Sequence, residues 1–151
     1  MLIVSEFETT THLITNGVLT LLENSDQLDR IRVEPKLYDS AEEEIPRHRG
    51  PIHGTKLKYA TEDIEWHGTR IHKGESVIPL LGAANNDPDV FEEPDAFDVA
   101  RTPSPHLSFS HGPHFCLGSH LARREAGIAL QELFGRFPDL GLALPLPPPR
   151  N

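Results

Sequence analysis

The chain has 151 residues, of which 37% are hydrophobic and 25% are charged, a composition typical of one globular domain rather than of a disordered or fibrous chain. Lys and Arg number 14 against 23 Asp and Glu, and the net charge of -9 argues against nucleic acid or an anionic membrane as a partner. A single cysteine excludes an intrachain disulfide, and no apolar run approaches membrane-spanning length or resembles a signal peptide, so we expect a cytoplasmic protein.

Helices are predicted in the first third of the chain. Apolar residues recur at near-helical spacing over residues 1–24, which contain no proline and therefore predict one long helix. A short helix should follow through Val33. Another is predicted over residues 39–49, because Asp39 and Ser40 are good N-terminal caps and Gly50-Pro51 is a strong terminator.

The pattern then changes to short alternating runs. Residues 55–80 predict four strands in one small antiparallel sheet, and residues 82–108, rich in Asn, Asp and Pro, predict an irregular meander. A final helix is predicted over 117–137. Its expected buried stripe is Ala122, Ala126, Ala129, Leu133 and Phe137. The predicted fold class is mainly α with a small antiparallel β-sheet (α+β).

The loop before that final helix, FSHGPHFCLG at 109–118, contains the only cysteine. A thiol binds metal as thiolate, and a position just before a helix favours that form, because free backbone N–H groups and the positive end of the dipole lie there. Two alternatives remain open. Cys116 could be an inert, buried side chain, or the chain could be a small zinc or thiol protein. The zinc candidates are His111, His114, Cys116 and His120.

The same loop resembles the cysteine-ligand loop of the haem-thiolate monooxygenases, the cytochrome P-450 family. The matching residues are Phe109, Gly112, His114, Cys116 and Gly118. The resemblance implies the C-terminal part of the bacterial soluble P-450 fold. It also implies haem b as cofactor, with iron held by the Cys116 thiolate and His114 near a haem propionate.

A second match supports the resemblance. Glu44 and Arg47 form the Glu-x-x-Arg pattern of a helix in this family, and Arg101 stands where the family has a third member of an ion-pair cluster. We expect these three side chains to meet beneath the cysteine loop. Pro46, between the first two, is expected to kink the helix and displace Arg47.

The first helix resembles the helix on the distal side of the haem. Glu8 and Thr9 match the acid and alcohol that deliver protons to oxygen in this family, which makes them the candidate catalytic residues. The family usually has small residues where this chain has Ser5 and Glu6. We therefore expect oxygen activation to be impaired.

Three further assignments follow from the resemblance. Lys58 replaces an arginine that binds a haem propionate, and residues 51–53 fall where the family lines its substrate pocket. The electron donor would be a ferredoxin or flavodoxin, docking near Arg123 and Arg124.

The resemblance covers residues 2–143 but only the C-terminal part of a family member, so we expect a truncated protein with doubtful activity by itself. The expected activity of the family is insertion of one oxygen atom of O₂ into a small organic substrate. The alternative is a non-catalytic haem-binding or structural remnant.

Overall fold

The computed structural model describes residues 2–143, with side chains from residue 7 onward, and its main elements are five α-helices. These helices are α1 (Leu2–Glu23), α2 (Ser25–Val33), α3 (Tyr38–Arg49), α4 (Leu81–Ala84) and α5 (Ser119–Arg136). Two 3₁₀ turns lie at Pro35–Leu37 and Gly112–His114. The mainly α fold class with small antiparallel sheets is therefore confirmed.

Helices α1, α3 and α5 pack against one another around the main core. Gly17 on α1 allows this close approach, because an added β-carbon would lie 3.1 Å from Leu130 Cδ1 and 3.4 Å from Ile45. The buried hydrophobic side chains of this core are Leu13, Leu21, Leu28, Ile31, Tyr38, Ala41, Ile45, Phe97, Val99, Ala126, Leu130 and Phe134.

The buried stripe of α5 differs from the predicted one. Ala126, Leu130 and Phe134 face the core, whereas Phe137 is 57% exposed. The helix ends at Arg136 and Phe137 is its C-terminal cap, so the last turn of the predicted stripe does not exist. Packing against α1 and α3 selects a face one position away from the predicted one after Ala126, with Leu130 and Phe134 buried.

The four strands form two separate sheets rather than one. Strand β1 (Lys58–Tyr59) pairs antiparallel with β4 (Ser76–Val77), and β2 (Ile64–Trp66) pairs antiparallel with β3 (Thr69–Ile71). The inner pair is a hairpin whose turn places Gly68 at φ +76°. Because every residue of β2 is exposed, no buried face extends this hairpin into a wider sheet.

Candidate functional site

The cysteine loop folds back on itself before α5 begins. The Cys116 amide donates a hydrogen bond to the Phe109 carbonyl at 2.9 Å, and the Cys116 carbonyl accepts one from Ser119 at 3.2 Å. Helix α5 begins at Ser119, two residues later than the sequence indicates. The thiol therefore lies three residues before the helix and is exposed, so the reading of Cys116 as a buried, inert side chain is wrong.

The Cys116 side chain lines a cavity of about 820 Å³ between α1, α3, the strands and the loop. This volume is in the range of cofactor and ligand pockets. Most of the lining is apolar or aromatic. The wall residues are Thr9, Thr10, Leu13, Pro46, Pro51, Ile52, Thr55, Lys56, Lys58, Pro79, Leu81, Leu107, Ser108, Phe109, Ser110, His111, His114, Cys116 and Ala122.

The donor set of this cavity fits a haem. A thiol suits iron as a soft axial ligand, and the cation of Lys58 and the ring nitrogens of His114 suit propionate oxygens. The glycines leave room for such a group, because a β-carbon added at Gly112 or Gly118 would meet no described atom within 4 Å. Gly112 also needs its φ of +72°, which a side chain would disfavour, whereas Gly118 has no such backbone reason.

Zinc is not supported by the arrangement. Among residues 2–143 no three His, Cys, Asp or Glu side chains come together in a group that could hold a metal ion. His111 and His114 line the cavity with Cys116, but His120 is not among its wall residues. A tetrahedral site from these four side chains is therefore not formed.

Glu44, Arg47 and Arg101 lie together, and the first two side chains are fully buried. Arg47 donates to both carboxylate oxygens of Glu44, from Nε at 2.6 Å and from Nη2 at 2.7 Å. Arg101 Nε donates to Glu44 Oε1 at 3.2 Å. The backbone N–H of Asp98 donates to the same oxygen at 3.2 Å, so the buried carboxylate has donors on both oxygens.

The two arginines also bind the meander directly. Arg47 donates to the carbonyls of Asn85, Pro94 and Ala96 at 2.8–3.0 Å. Arg101 donates to those of Glu92, Glu93 and Ala96 at 2.8–3.2 Å. An irregular segment has few backbone partners of its own, so these guanidinium groups satisfy carbonyls that the meander cannot pair internally.

Pro46 does not displace Arg47, contrary to the sequence expectation. It lies inside α3, is buried, and lines the cavity. Its carbonyl accepts a hydrogen bond from Ser108 Oγ at 2.6 Å, and Ser108 Oγ in turn accepts one from Asn85 Nδ2 at 2.8 Å. Asn85 Oδ1 accepts from the Leu107 amide at 2.7 Å. These bonds fix the end of the meander just before the cysteine loop.

The distal residues are separated by the structure. Thr9 and its neighbour Thr10 line the cavity, whereas Glu8 is exposed and is not among the wall residues. Successive residues of a helix point about 100° apart, and here the Glu8 side chain lies on the solvent side while both threonines line the cavity. The expectations for Ser5 and Glu6 lie outside the residues whose side chains are described.

Most of the residues assigned to the haem propionates and to the substrate pocket line the cavity, and one does not. Lys58 and His114 both line the cavity, as do Pro51 and Ile52. His53 does not; its carbonyl accepts a hydrogen bond from Gly82 at 3.1 Å. Sequence reasoning missed Lys56, a second cation in the wall, because a lysine beside a two-residue strand has no distinguishing pattern.

Arg123 is paired within the chain. It donates to both carboxylate oxygens of Glu43, from Nε at 2.6 Å and from Nη2 at 2.9 Å, and its side chain is 19% exposed. Arg124 is exposed on the next position of α5. Docking of an electron donor near Arg123 and Arg124 stays a prediction, and Arg124 is the more exposed of the two.

Comparison with known proteins gives a consistent result. The family model described as "Cytochrome P450" matches residues 7–138. The biotin biosynthesis cytochrome P450 of Bacillus subtilis (strain 168) is 50% identical over 143 residues, which are 95% of this chain and 36% of that protein. Cytochrome P450 105C1 of a Streptomyces species is 47% identical over 96% of this chain and 38% of its own length. The chain thus spans little more than a third of the length of these relatives.

Solved structures show the same fold. P450BioI, in complex with acyl carrier protein ligated to hexadec-9Z-enoic acid, matches with a TM-score of 0.87 and 51% identity over 90% of this chain and 35% of that one. The myxobacterial cytochrome P450 CYP267B1, in complex with myristic acid, matches with a TM-score of 0.90 and 45% identity over 95% and 36%. In the part of the chain with described structure, no helix is both long and apolar enough to cross a membrane.

Proposed function

The chain belongs to the cytochrome P450 family, and on that premise we propose that it holds haem b through the Cys116 thiolate as part of a monooxygenase. The observation that carries the proposal is the cavity of about 820 Å³, because its wall brings together the one thiol, Phe109, His114 and Lys58. A bound haem supplies the activation of dioxygen, by which one oxygen atom enters an organic substrate.

The residues of the cavity have distinct proposed roles. Cys116 Sγ binds the iron, and the glycines beside it let the loop backbone approach a flat group. Lys58 would offset the charge of one propionate, and His114 would donate a hydrogen bond to a propionate oxygen. Phe109 excludes water from the thiolate side, which strengthens the electrostatic interactions there.

Proton delivery is proposed for the other side of the cavity. Thr9 lines the wall, so its Oγ1 can hold a proton at the surface of the cavity. Glu8 is exposed and can exchange protons with solvent. Because Glu8 and Thr9 point in different directions, the proposed path runs from solvent to Glu8 and then through an intervening water to Thr9 Oγ1.

The substrate class is proposed to be an apolar organic molecule. Leu13, Ile52 and Leu81 contribute apolar wall area, and relatives have been solved with myristic acid and with a fatty acid carried on acyl carrier protein. The proposed electron donor is a ferredoxin or flavodoxin. The candidate contacts on α5 are Arg123 and the exposed Arg124. A cytoplasmic location is part of the proposal.

The test is to load the protein with haem and record the ferrous carbon monoxide complex of the wild type and of Cys116→Ala. The wild type should show the red-shifted Soret band of thiolate ligation, at least in part, and Cys116→Ala should lose it entirely. Substrate turnover by the 151-residue chain should be negligible. Identical spectra for the two proteins would refute the ligand assignment, provided that circular dichroism shows equal helical content.

A further inference from the structure

A second charged network lies one residue before Glu44 on α3. Glu43 receives the bidentate pair of hydrogen bonds from Arg123 of α5, and His106 Nε2 lies 2.8 Å from Glu43 Oε2. The His106 side chain is only 2% exposed. Three segments far apart in the chain therefore converge on one carboxylate, and the bidentate geometry fixes the plane of the guanidinium group.

Both partners of Glu43 contact the same aromatic ring. The Arg123 guanidinium carbon lies 4.2 Å from the centroid of the Phe109 ring, and the His106 ring lies 5.8 Å from it at an angle of 51°. A guanidinium plane over an aromatic face is an attractive arrangement that holds the ring in place. We call Glu43, His106, Phe109 and Arg123 the Glu43 cluster.

Phe109 connects this cluster to the thiol. Its ring lines the cavity, and its carbonyl accepts the hydrogen bond from the Cys116 amide. The position of Phe109 is therefore transmitted to Cys116 through one backbone hydrogen bond. Ser110, the next residue, has φ +65°, a strained value that the loop keeps only if its ends are held.

The carboxylate at the centre is ionised at neutral pH. Burial alone would raise the pKa of Glu43, but the hydrogen bonds and charges of His106 and Arg123 outweigh it and lower the pKa to about 2. Glu42 and Arg124 flank the cluster on the same two helices. The pair of Glu43 and Arg123 is thus charged and half-buried, where a missing partner is costly.

Docking of α3 on α5 does not require the cluster. These helices also meet through Ala41, Ile45, Ala126 and Leu130 of the main core. The distinct contribution of the cluster is that Arg123 and His106 hold the Phe109 ring in place. A purely structural role would predict a loss of stability, whereas a positioning role predicts a changed environment for Cys116 in a protein that remains folded.

We propose that the Glu43 cluster positions Cys116, so that Glu43, His106 and Arg123 are positioning residues acting on the thiol through Phe109. The inference rests on the proposed haem-thiolate site for its purpose. The geometry of the cluster does not depend on that site, since every contact in the cluster lies within the chain itself.

The first experiment uses the haem-free protein, in which Cys116 is the sole thiol and can be labelled with a trifluoromethyl reagent. Fluorine NMR of the wild type should give one narrow line. Glu43→Gln, which preserves shape and removes charge, should give a broadened line or several lines at equal helical content by circular dichroism. Glu132→Gln is the matched control, because it removes the same charge from an exposed pair with Arg136.

The second experiment uses the haem-loaded protein. Outer partners of a metal ligand typically contribute 10–100-fold to metal affinity, so Glu43→Gln should weaken haem affinity at least about tenfold and reduce the thiolate-type carbon monoxide band. Glu132→Gln should change affinity by less than about twofold. Arg123→Lys preserves charge but loses the fork and the stacked plane, and it should behave like Glu43→Gln.

The outcomes separate this inference from the proposed function. If wild type and Cys116→Ala give the same haem spectra, the proposed function fails while the fluorine experiment still decides the positioning role. A single narrow fluorine line in Glu43→Gln overturns the inference. So does loss of helical signal in Glu43→Gln and in the milder His106→Gln, since the cluster would then be an element of the fold. Wild-type behaviour of Arg123→Lys would also overturn it, because charge alone would suffice.

Discussion

Replacing Glu44 by Gln should destabilise the fold strongly. The carboxylate is fully buried and accepts bidentate hydrogen bonds from Arg47, whose side chain is also fully buried. Glutamine preserves the shape, but it removes the charge and turns an amide N–H₂ toward an arginine donor. The Arg47 cation would then lie in the interior without a counter-ion.

The structure gives the size of this effect. Breaking a buried pair by removing one partner costs about 3–5 kcal/mol, because the remaining charge is desolvated and unpaired. Arg101 cannot compensate, since it is a cation itself, and the Asp98 amide would lose its acceptor charge. A domain of ordinary stability has about 5–15 kcal/mol in total, so Glu44→Gln should remove a large part of it.

Urea unfolding followed by circular dichroism is the appropriate assay. With a slope of about 2 kcal/mol per molar urea, the midpoint of Glu44→Gln should fall by roughly 2 M. Glu132→Gln, which breaks an exposed pair on α5, should shift the midpoint by less than about 0.5 M. A shift for Glu44→Gln as small as that of the control would show that the buried carboxylate is not paired as described.

Two further predictions concern the same helix. Gly50→Ala should lower stability by about 1–3 kcal/mol in the same urea assay, because the added β-carbon would overlap the Pro46 carbonyl oxygen, a backbone atom that cannot move aside easily. An unchanged midpoint would contradict this packing. The pKa of Glu43 is lowered from 4.5 to about 2, so its contribution to stability should be complete above pH 4.5 and should disappear as the pH falls toward 2. Because the Glu43 side chain is 34% exposed, this contribution is about 1–2 kcal/mol after allowance for solvent screening. It is measured as the difference in midpoint between wild type and Glu43→Gln across that range, and a difference independent of pH would exclude it.

The local features of this chain could be predicted from its sequence because local patterns encode them. The long first helix follows from apolar spacing without proline, and the break at Gly50-Pro51 follows from backbone chemistry. The cysteine loop could be recognised because its spacing of glycines, histidine and thiol is dense and specific. The meeting of Glu44, Arg47 and Arg101 could be expected only from the family resemblance, since Arg101 is 57 residues from Glu44.

The remaining features depend on contacts that no local pattern encodes. The split into two sheets is decided by the exposure of β2, which leaves the hairpin with nothing to pair against. The Glu43 cluster could not be predicted either, because His106 and Arg123 are 63 and 80 residues away along the chain. Arg123 looked like an ordinary surface cation for the same reason. A charge run on a helix does not show which of its members has a buried partner.

Two adjacent glutamates on α3 thus have different neighbours, and the reason is helical geometry. Positions 43 and 44 point about 100° apart. The Glu44 carboxylate therefore faces the meander, and the Glu43 carboxylate faces α5 and the cysteine loop. Pro46 lies on the same turn of α3, and its carbonyl accepts a hydrogen bond from Ser108 Oγ, just before the cysteine loop. One turn of α3 therefore connects the meander, the last helix and the thiol. This explains why buried ion pairs are concentrated there even though charged groups are costly to bury. Within the described residues, the meander is held by these charged hydrogen bonds together with its buried side chains Phe91, Phe97 and Val99.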